Sequence, residues 1–476
     1  MSNSKKTKII ATLGPASNSA NVMEKMILEG VDVFRINFSH ANYDDATERI
    51  SLIRKLSEKL KIHVSILADL QGPKLRVGEI EDNSEVKEGE IVTFSSSNSF
   101  IGNSQKAYMN YKKFASDVSV GEIILLDDGK LIFEIASTDN QDKVTAKVIQ
   151  GGPLKSNKGV NLPNTNISLP ALTEKDIKDA IFAIKQEVDW IALSFVRKKE
   201  DLIELKELIE KYSDYKIPII SKIEKPEALK NISEIIKNSD GLMVARGDLG
   251  VELPAAEVPL IQKQLVLAAK KARIPIIIAT QMMETMIESR TATRAEVNDV
   301  ANSVMDGADA VMLSAETSVG KFPVEVIKTM SSILMSVEGS DLIKVPSLPP
   351  EIKTNRYITK SICYHASIMA NEIEAKAICT LTNSGYTAFQ ISAWRPMSNI
   401  LVFTSNKRIL SQLNLLWGVK SFFYDAYEST DKTVEQINNI AKKFKYVSKG
   451  DFLINLTAMP VKTKGMVNTL RVSKIE

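Results

Sequence analysis

Six charged side chains lie where short apolar runs of the chain end, three of each sign: Arg35, Lys222 and Arg246, and Asp69, Glu224 and Asp248. Cations stabilise the oxygens of a phosphoryl group in transfer, and two carboxylates can hold a magnesium ion that bridges substrate groups. A single pair of this kind is as easily an ordinary surface ion pair, but six charges at successive strand ends favour a functional site. The pattern therefore predicts a phosphorylated substrate bound through a divalent metal.

Eight apolar runs carry these clusters and predict eight strands: residues 7–14, 32–39, 64–71, 190–196, 218–224, 241–248, 275–281 and 310–317. Such runs, separated by amphipathic stretches, are typical of a (β/α)8 TIM barrel, whose parallel strands deliver their C-terminal residues to one shared mouth. The first helix is expected over 19–29, with Ser19 as its N-cap and Gly30 as its stop. The interval between the third and fourth runs is too long for one crossover and predicts an inserted domain.

The chain is predicted to divide into four segments. Residues 1–71 and 168–345 would form the two parts of the barrel. Residues 72–167 hold strand-like stretches separated by Asn, Asp, Ser and Gly, which predicts a β-rich lid over the mouth. Residues 346–476 would form a C-terminal α/β domain, joined by a Pro-rich linker at 345–353. Its strands are expected at 376–382, 399–405, 419–425 and 451–457.

Composition narrows the class of protein. Sixty-one basic and 58 acidic residues give a formal charge of +3, which argues against nucleic acid as the main partner. No apolar run approaches the roughly 20 residues of a membrane span, and the N-terminus lacks the apolar core of a signal peptide. Two cysteines, Cys363 and Cys379, and three histidines leave little material for zinc, so magnesium is the expected metal. We expect two buried thiols rather than a disulfide, and a cytoplasmic protein.

Seven motifs, in this order and spacing, resemble the pyruvate kinase family: RINFSH (35–40), ADLQGPKLR (68–76), KGVNLP (158–163), SKIE (221–224), MVARGDLGVE (243–252), ATQM (279–282) and TRAE with DVAN and DGADAVMLSAET (293–317). The resemblance implies transfer of a phosphoryl group from phosphoenolpyruvate to ADP, giving pyruvate and ATP, with Mg²⁺ or Mn²⁺ as cofactor. It also implies a barrel, a lid and a C-terminal domain assembled as a homotetramer.

The resemblance also implies roles for individual residues at the mouth. Lys222 matches the lysine that stabilises the phosphoryl group in flight and the enolate left behind, and Arg35 matches the arginine that grips the phosphoryl group. Glu224 and Asp248 match the magnesium ligands. Gly247, through its backbone, and Thr280, through its side chain, match substrate contacts.

Two further sets of roles follow from the same resemblance. Thr280 lies near the enolate carbon that must be protonated, but a threonine hydroxyl is a poor acid, so a relayed water is expected. Ser314 and Glu316 are candidates for that relay. The nucleotide-side contacts that match the family are Asn37, Arg76 and Lys158.

One departure from the family pattern concerns the monovalent cation. Members that need potassium have glutamate where this chain has Lys74, and usually threonine and lysine where it has Leu70 and Gln71. The other positions that match monovalent-ion ligands are kept: Asn37, Ser39 and Asp69. A lysine ammonium would supply the missing charge covalently, so we expect activity without potassium.

A loop in the C-terminal domain, TNSGYTA (382–388), resembles the family's site for allosteric sugar phosphates. It follows a predicted strand and opens a helix, where backbone amides and hydroxyls can hold a phosphate. A sugar phosphate or a nucleotide would be the effector, with contacts from Thr382, Ser384, Gly385 and Thr387. The alternative is a plain strand–helix turn in which Thr382 or Ser384 serves as a cap.

Two other functions remain open at the level of the sequence. A magnesium-dependent barrel lyase or aldolase would also work through an enolate, but it would show no requirement for ADP. A catalytically inactive relative could act as a metabolite sensor through its C-terminal domain. Against the sensor, the five principal candidates are all present: Arg35, Lys222, Glu224, Asp248 and Thr280.

Overall fold

Eight parallel strands close into a barrel in a computed structural model that describes residues 5–340, 349–350, 356–426, 428–459 and 466–476. The first part of the barrel comprises β1 (Lys8–Thr12), α1 (Ala20–Glu29), β2 (Val33–Asn37), α2 (Tyr43–Leu60) and β3 (Ser65–Asp69). The Ser19 hydroxyl accepts a hydrogen bond from the Val22 amide, and Gly30 ends the helix at φ 122°. Both predicted ends of α1 are therefore confirmed.

The lid follows β3 and comprises β4 (Glu85–Val86), β5 (Ile91–Ser95), β6 (Lys106–Tyr108), α3 (Phe114–Asp117), β7 (Ile123–Leu126), β8 (Leu131–Thr138), β9 (Lys143–Gln150), β10 (Gly152–Pro153) and β11 (Val160–Asn161). Its main sheet has the order β11-β7-β8-β9-β5-β6 and is antiparallel except between β5 and β6. Three buried phenylalanines meet edge-to-face at its centre, Phe94, Phe114 and Phe133. The lid thus has a core of its own.

The barrel resumes with α4 (Glu174–Lys185), β12 (Trp190–Leu193), α5 (Lys199–Tyr212), β13 (Ile219–Ile223), α6 (Pro226–Lys230), α7 (Ile232–Asn238), β14 (Gly241–Ala245), α8 (Arg246–Glu252), α9 (Val258–Ala272), β15 (Ile276–Ala279), α10 (Arg294–Asp306), β16 (Ala310–Leu313), α11 (Ala315–Ser318) and α12 (Pro323–Glu338). The strand order around the barrel is β1-β16-β15-β14-β13-β12-β3-β2. All eight predicted strands are confirmed.

The C-terminal domain comprises α13 (Tyr357–Glu372), β17 (Ala377–Leu381), α14 (Tyr386–Ala393), β18 (Asn399–Thr404), α15 (Lys407–Gln412), β19 (Val419–Phe423), α16 (Thr430–Lys443), β20 (Phe452–Thr457) and β21 (Thr469–Lys474). Its sheet has the order β19-β18-β17-β20-β21, and β21 is an antiparallel edge strand that the sequence did not predict. Cys363 and Cys379 are buried free thiols in different apolar clusters.

The fold class predicted from sequence is confirmed: a barrel, an inserted β-rich lid and a C-terminal α/β domain. The segment boundaries after residues 71, 167 and 345 stay predictions. The last of them, with the linker 345–353 apart from residues 349–350, lies outside the described residues. Among the helices that the structure describes, none is long and apolar enough to cross a membrane.

Candidate active site

The alternation of side chains along the strands carries the charged residues into the barrel. Apolar residues fill the lower interior, and they include Val33, Leu67 and Ile220. Two residues further along each strand, on the same face, stand Arg35, Asp69 and Lys222. The interior is therefore apolar below and charged at the mouth, formed by the C-terminal ends of the strands.

Lys222 lies at the centre of a buried network. Its Nζ is 3.2 Å from Asp69 Oδ1 and 3.0 Å from Glu224 Oε1, and it donates to Ser194 Oγ at 2.6 Å. Arg35 binds the other oxygen of Asp69, with 2.5 Å between Nε and Oδ2. Asp69 thus holds both cations in place, and its side chain is only 1% exposed.

These contacts shift the ionisation of the network. Burial alone would lower the pKa of Lys222, but Asp69 and Glu224 outweigh it and raise that pKa above its ordinary value. Burial would raise the pKa of Asp69, yet Lys222 and Arg35 together hold it below the usual range. The Lys222 ammonium and the Asp69 carboxylate therefore both stay charged at neutral pH.

Glu224 and Asp248 are the two carboxylates that fit a divalent cation. Burial raises the pKa of Glu224, and the neighbouring charge of Asp248 raises it further, against the opposing effect of Lys222. Two carboxylates that repel in this way suit a cation between them. Within the described residues, no group of three or more His, Cys, Asp or Glu side chains could hold a metal. The pair Glu224 and Asp248 is the kind of donor set expected of magnesium, which uses one or two carboxylates and completes its shell with water and substrate phosphates.

Thr280 begins a turn at the end of β15 and has a positive φ of 70°, followed by Gln281 at 54°. A β-branched residue in that region is a genuine outlier. The Thr280 hydroxyl accepts from the Gly247 amide at 2.7 Å and donates to the Ala279 carbonyl at 2.5 Å. The two predicted substrate contacts, Gly247 and Thr280, therefore touch each other.

Arg246 is not free to bind substrate, which corrects its grouping with the phosphate-binding cations. Its guanidinium makes two hydrogen bonds of 2.7 Å to the Asp299 carboxylate and donates to the Thr280 carbonyl at 2.7 Å. The side chain lines a cleft of about 840 Å³ together with Gly247 and Asp248. The carboxylate of Asp299, on α10, already neutralises the positive charge of Arg246.

The monovalent-cation positions lie around the end of β2. Asn37 pairs with Asp69 in the strand register, and its side-chain oxygen accepts from the Ser39 amide at 3.1 Å. Lys74 approaches from the start of the lid, with its Nζ 3.9 Å from Asp248 Oδ1. A lysine ammonium thus enters the cleft on its Asp248 side.

The nucleotide-side candidates on the lid make their contacts within the lid. Arg76 donates to the Asn157 carbonyl at 3.0 Å, and Lys158 pairs with Asp127 at 2.9 Å. The lid also touches the barrel, because the Asn161 amide donates to Glu252 Oε1 of α8 at 2.8 Å. The lid therefore lies against α8, the helix that carries Asp248.

The relay candidates lie after β16. Glu316 is 3% exposed, and burial raises its pKa. Its carboxylate accepts from the Ser314 amide at 2.6 Å and from the Met283 amide at 3.3 Å. Glu316 is therefore bound to the turn that contains Thr280, three residues beyond it.

The candidate effector loop forms a capped turn. Gly385 has φ 79° at the start of α14, and its amide donates to the Thr382 hydroxyl at 3.0 Å. Ser384 is exposed beside them, whereas the Thr387 hydroxyl is buried against Thr380 at 2.9 Å.

Three residues of the site were missed from the sequence. Ser194 accepts from Lys222 and donates to the Leu70 carbonyl at 2.6 Å, and Thr12 accepts from Arg35 at 2.9 Å. Ser194 and Thr12 each lie two residues after an interior position, of β12 and β1 respectively. Because side chains two residues apart share a face, the alternation of side chains along the strands would have predicted both. Asp299 lies on α10, and no periodicity of the strands indicates it.

Comparison with known proteins gives one consistent result. The model of the family "Pyruvate kinase, barrel domain" matches residues 4–327, and that of "Pyruvate kinase, alpha/beta domain" matches residues 360–473. The pyruvate kinase of Corynebacterium glutamicum is 41% identical over 98% of this chain and 97% of its own length. That of Clostridium perfringens is 38% identical over 99% of this chain and all of its own.

The solved structures agree with the sequence matches. A crystal structure of a pyruvate kinase from Cryptosporidium parvum superposes with a TM-score of 0.91 and 31% identity, covering 99% of this chain and 96% of that one. Near-complete coverage includes the barrel, the lid and the C-terminal domain. With two family models and full-length relatives in agreement, the chain belongs to the pyruvate kinase family.

Proposed function

We propose that this chain transfers the phosphoryl group of phosphoenolpyruvate to ADP, giving pyruvate and ATP, as the last step of glycolysis. The observation that carries the proposal is the Arg35–Asp69–Lys222–Glu224 network, which gathers two cations and two carboxylates at one barrel mouth. Family membership supports the same reaction. The bond from phosphorus to the enolate oxygen breaks, and a new bond forms to a terminal oxygen of ADP.

Lys222 and Arg35 bind the phosphoryl group in this proposal. Charge moves onto the transferred oxygens and then onto the enolate oxygen, and fixed cations in a low-dielectric mouth stabilise it without reorganising. Glu224 and Asp248 would hold Mg²⁺ or Mn²⁺, which when bound supplies further positive charge to the phosphoryl and carboxylate oxygens. The backbone of Gly247 and the hydroxyl of Thr280 orient the substrate beside them.

The enolate must then take a proton at its terminal carbon. In the proposal, a water held between the Thr280 hydroxyl and the Ser314–Glu316 segment supplies that proton. The raised pKa of Glu316 supports a proton-holding role, because a higher pKa favours the protonated carboxyl that can pass a proton to such a water.

The lid closes over the nucleotide in the proposed complex. Asn37, Arg76 and Lys158 would contact ADP, and the lid's contact with α8 through Asn161 and Glu252 supports a closing motion that excludes water. Lys74 would replace a potassium ion by entering the cleft with its ammonium, so the chain is proposed to work without potassium.

We also propose an oligomeric state, a cellular location and a regulatory ligand for this chain. A homotetramer, a cytoplasmic location and a sugar-phosphate or nucleotide effector at Thr382, Ser384, Gly385 and Thr387 follow from the family. Two buried free thiols are consistent with a reducing compartment. The lyase or aldolase and the inactive sensor receive no support from the relatives, which are named pyruvate kinases.

The test of function is pyruvate release, followed with purified protein, phosphoenolpyruvate and Mg²⁺, with and without ADP. We expect pyruvate and ATP in equal amounts, and no turnover when ADP is left out. Pyruvate release without ADP would instead indicate a lyase, and absence of turnover under all divalent metals would indicate a sensor. Adding a panel of sugar phosphates and nucleotides to the same assay identifies an effector.

A further inference from the structure

A strained turn stands at the centre of the site, and something must hold it. Thr280 and Gln281 both have positive φ, at 70° and 54°, although neither is glycine. Strained conformations of this kind persist only where the surroundings determine them, and they cluster at functional sites. The Thr280 hydroxyl now accepts a hydrogen bond from the Gly247 amide at 2.7 Å, and relaxing the turn would move the two groups apart.

The Arg246 side chain binds the backbone of this turn directly. One of its terminal nitrogens, Nη2, donates to the Thr280 carbonyl at 2.7 Å and lies 2.9 Å from the Met282 sulfur. The same nitrogen is 3.4 Å from the Gln281 carbonyl. Three successive residues of the turn are therefore within reach of one guanidinium.

Asp299 fixes the direction of that guanidinium. Its two carboxylate oxygens each accept at 2.7 Å, one from Nη1 and one from Nη2 of Arg246. Paired, parallel hydrogen bonds of this kind set the plane of an arginine as well as its position. Asp299 belongs to α10, so a barrel helix outside the mouth is linked through Arg246 to the active-site turn.

We propose that Arg246 and Asp299 are positioning residues that clamp the Thr280–Gln281 turn in its left-handed conformation and so place the Thr280 hydroxyl for protonation of the enolate. The proposal rests on the proposed function, since it assigns a step of that reaction. As positioning residues, Arg246 and Asp299 would not themselves touch the reacting atoms. Their effect passes through the backbone of Thr280.

The experiment compares Asp299→Asn and Arg246→Lys with Asp306→Asn as the matched control. Asp306 lies on the same helix, two turns further on. Its carboxylate pairs with Lys263 and accepts from Gln262 at 3.2 Å, and it makes no hydrogen bond to the turn or to Arg246. We expect the first two variants to lose about 10–100-fold in kcat, because a small misplacement of a reacting group costs about that much, while KM for ADP stays within a few-fold. The control should retain the wild-type kcat.

Rescue distinguishes a clamp from a general structural role. Gln281→Gly should restore part of the lost kcat in the Asp299→Asn background, because glycine adopts positive φ without support. In the wild-type background the same change should have little effect. Where Asp299→Asn fails to fold, Arg246→Lys with and without Gln281→Gly answers the same question.

Crystal structures of the clamp variants separate this inference from the proposed function. Thr280 should move to negative φ and lose its contact with the Gly247 amide. A variant that keeps both would overturn the clamp, as would an Asp299→Asn kcat within threefold of wild type. Absence of kinase activity in the wild type would end the proposed function, and the φ of Thr280 in the variants would still decide whether the clamp exists.

Discussion

Replacement of Lys222 by methionine removes the charge at the centre of the site with little change in volume. The ammonium lies between Asp69, Glu224 and Ser194, at 2.6–3.2 Å from an oxygen of each. Its side chain is 12% exposed, so solvent screens it only in part. The change therefore tests how much one buried cation contributes to turnover.

The expected loss follows from Coulomb's law. Two unit charges about 4 Å apart at an effective dielectric constant of about 20 interact by roughly 4 kcal/mol. Each 1.4 kcal/mol of transition-state stabilisation is about tenfold in rate, so kcat should fall by about 10³. Losses of that size are also measured, at about 10²–10³, when one donor to a developing oxyanion is removed.

The same substitution should also destabilise the fold. Asp69 and Glu224 are each 1% exposed and would lose a partner, and removing one member of a buried ion pair costs about 3–5 kcal/mol. Glu224 can offset part of this by taking up a proton, since burial and Asp248 already raise its pKa. Mg²⁺ should also offset part of it, because its proposed ligands are intact.

A coupled assay for pyruvate measures kcat, and calorimetry with and without Mg²⁺ measures stability. Lys225→Met is the matched control, because Lys225 pairs with the buried Glu252 outside the network. It should lower stability without a comparable loss of kcat. A Lys222→Met enzyme within tenfold of the wild-type kcat would refute the reasoning, as would a loss equal to that of the control.

Two further predictions concern lysines outside that network. Wild-type turnover should be equal in tetramethylammonium buffer with and without potassium chloride, while Lys74→Glu should acquire potassium stimulation; a many-fold stimulation of the wild type contradicts this. Burial, opposed by Asp32, lowers the pKa of Lys8 to about 7, against about 10.4 in an unfolded chain. Between pH 7 and pH 10 the unfolded chain therefore binds more protons at Lys8 than the folded chain does. The free energy of unfolding should rise over that range relative to Lys8→Met, by up to about 1.4 kcal/mol for each unit by which the two pKa values differ. Calorimetry at pH 7.5 and 9.5 checks it, and parallel changes in both proteins would count against it.

Much of the site could be predicted because it lies on strands. In the SKIE motif, Lys222 and Glu224 are two residues apart and must share a face. Asp69 on β3 and Arg35 on β2 lie beyond β12 in the barrel order and reach the same mouth from the ends of their strands. Register within a barrel is fixed by the buried face, since a one-residue slip would expose its apolar set. The convergence of these residues at one mouth could therefore be predicted from the sequence.

The rest of the site depends on loops and helices, where no such period applies. Arg246 follows β14 directly and was grouped with the phosphate-binding cations, but its side chain turns to α10 because Asp299 offers it two oxygens. The positive φ of Thr280 has no local signal, because threonine is a residue that usually avoids it. Both features come from contacts between elements far apart in the chain.

The charges of the mouth explain why metal and substrate belong together. Two buried cations face three carboxylates, Asp69, Glu224 and Asp248, with Lys74 at the exposed edge beside Asp248. Asp69 is already satisfied by Arg35 and Lys222, so Glu224 and Asp248 are the pair that would repel an incoming phosphate. A divalent cation held by them, as proposed, would reverse that repulsion, and the phosphate would in turn supply ligands that the two carboxylates leave open. Binding of the metal would then strengthen binding of the phosphate, and binding of the phosphate would strengthen binding of the metal by the same factor, since coupling between two sites is reciprocal.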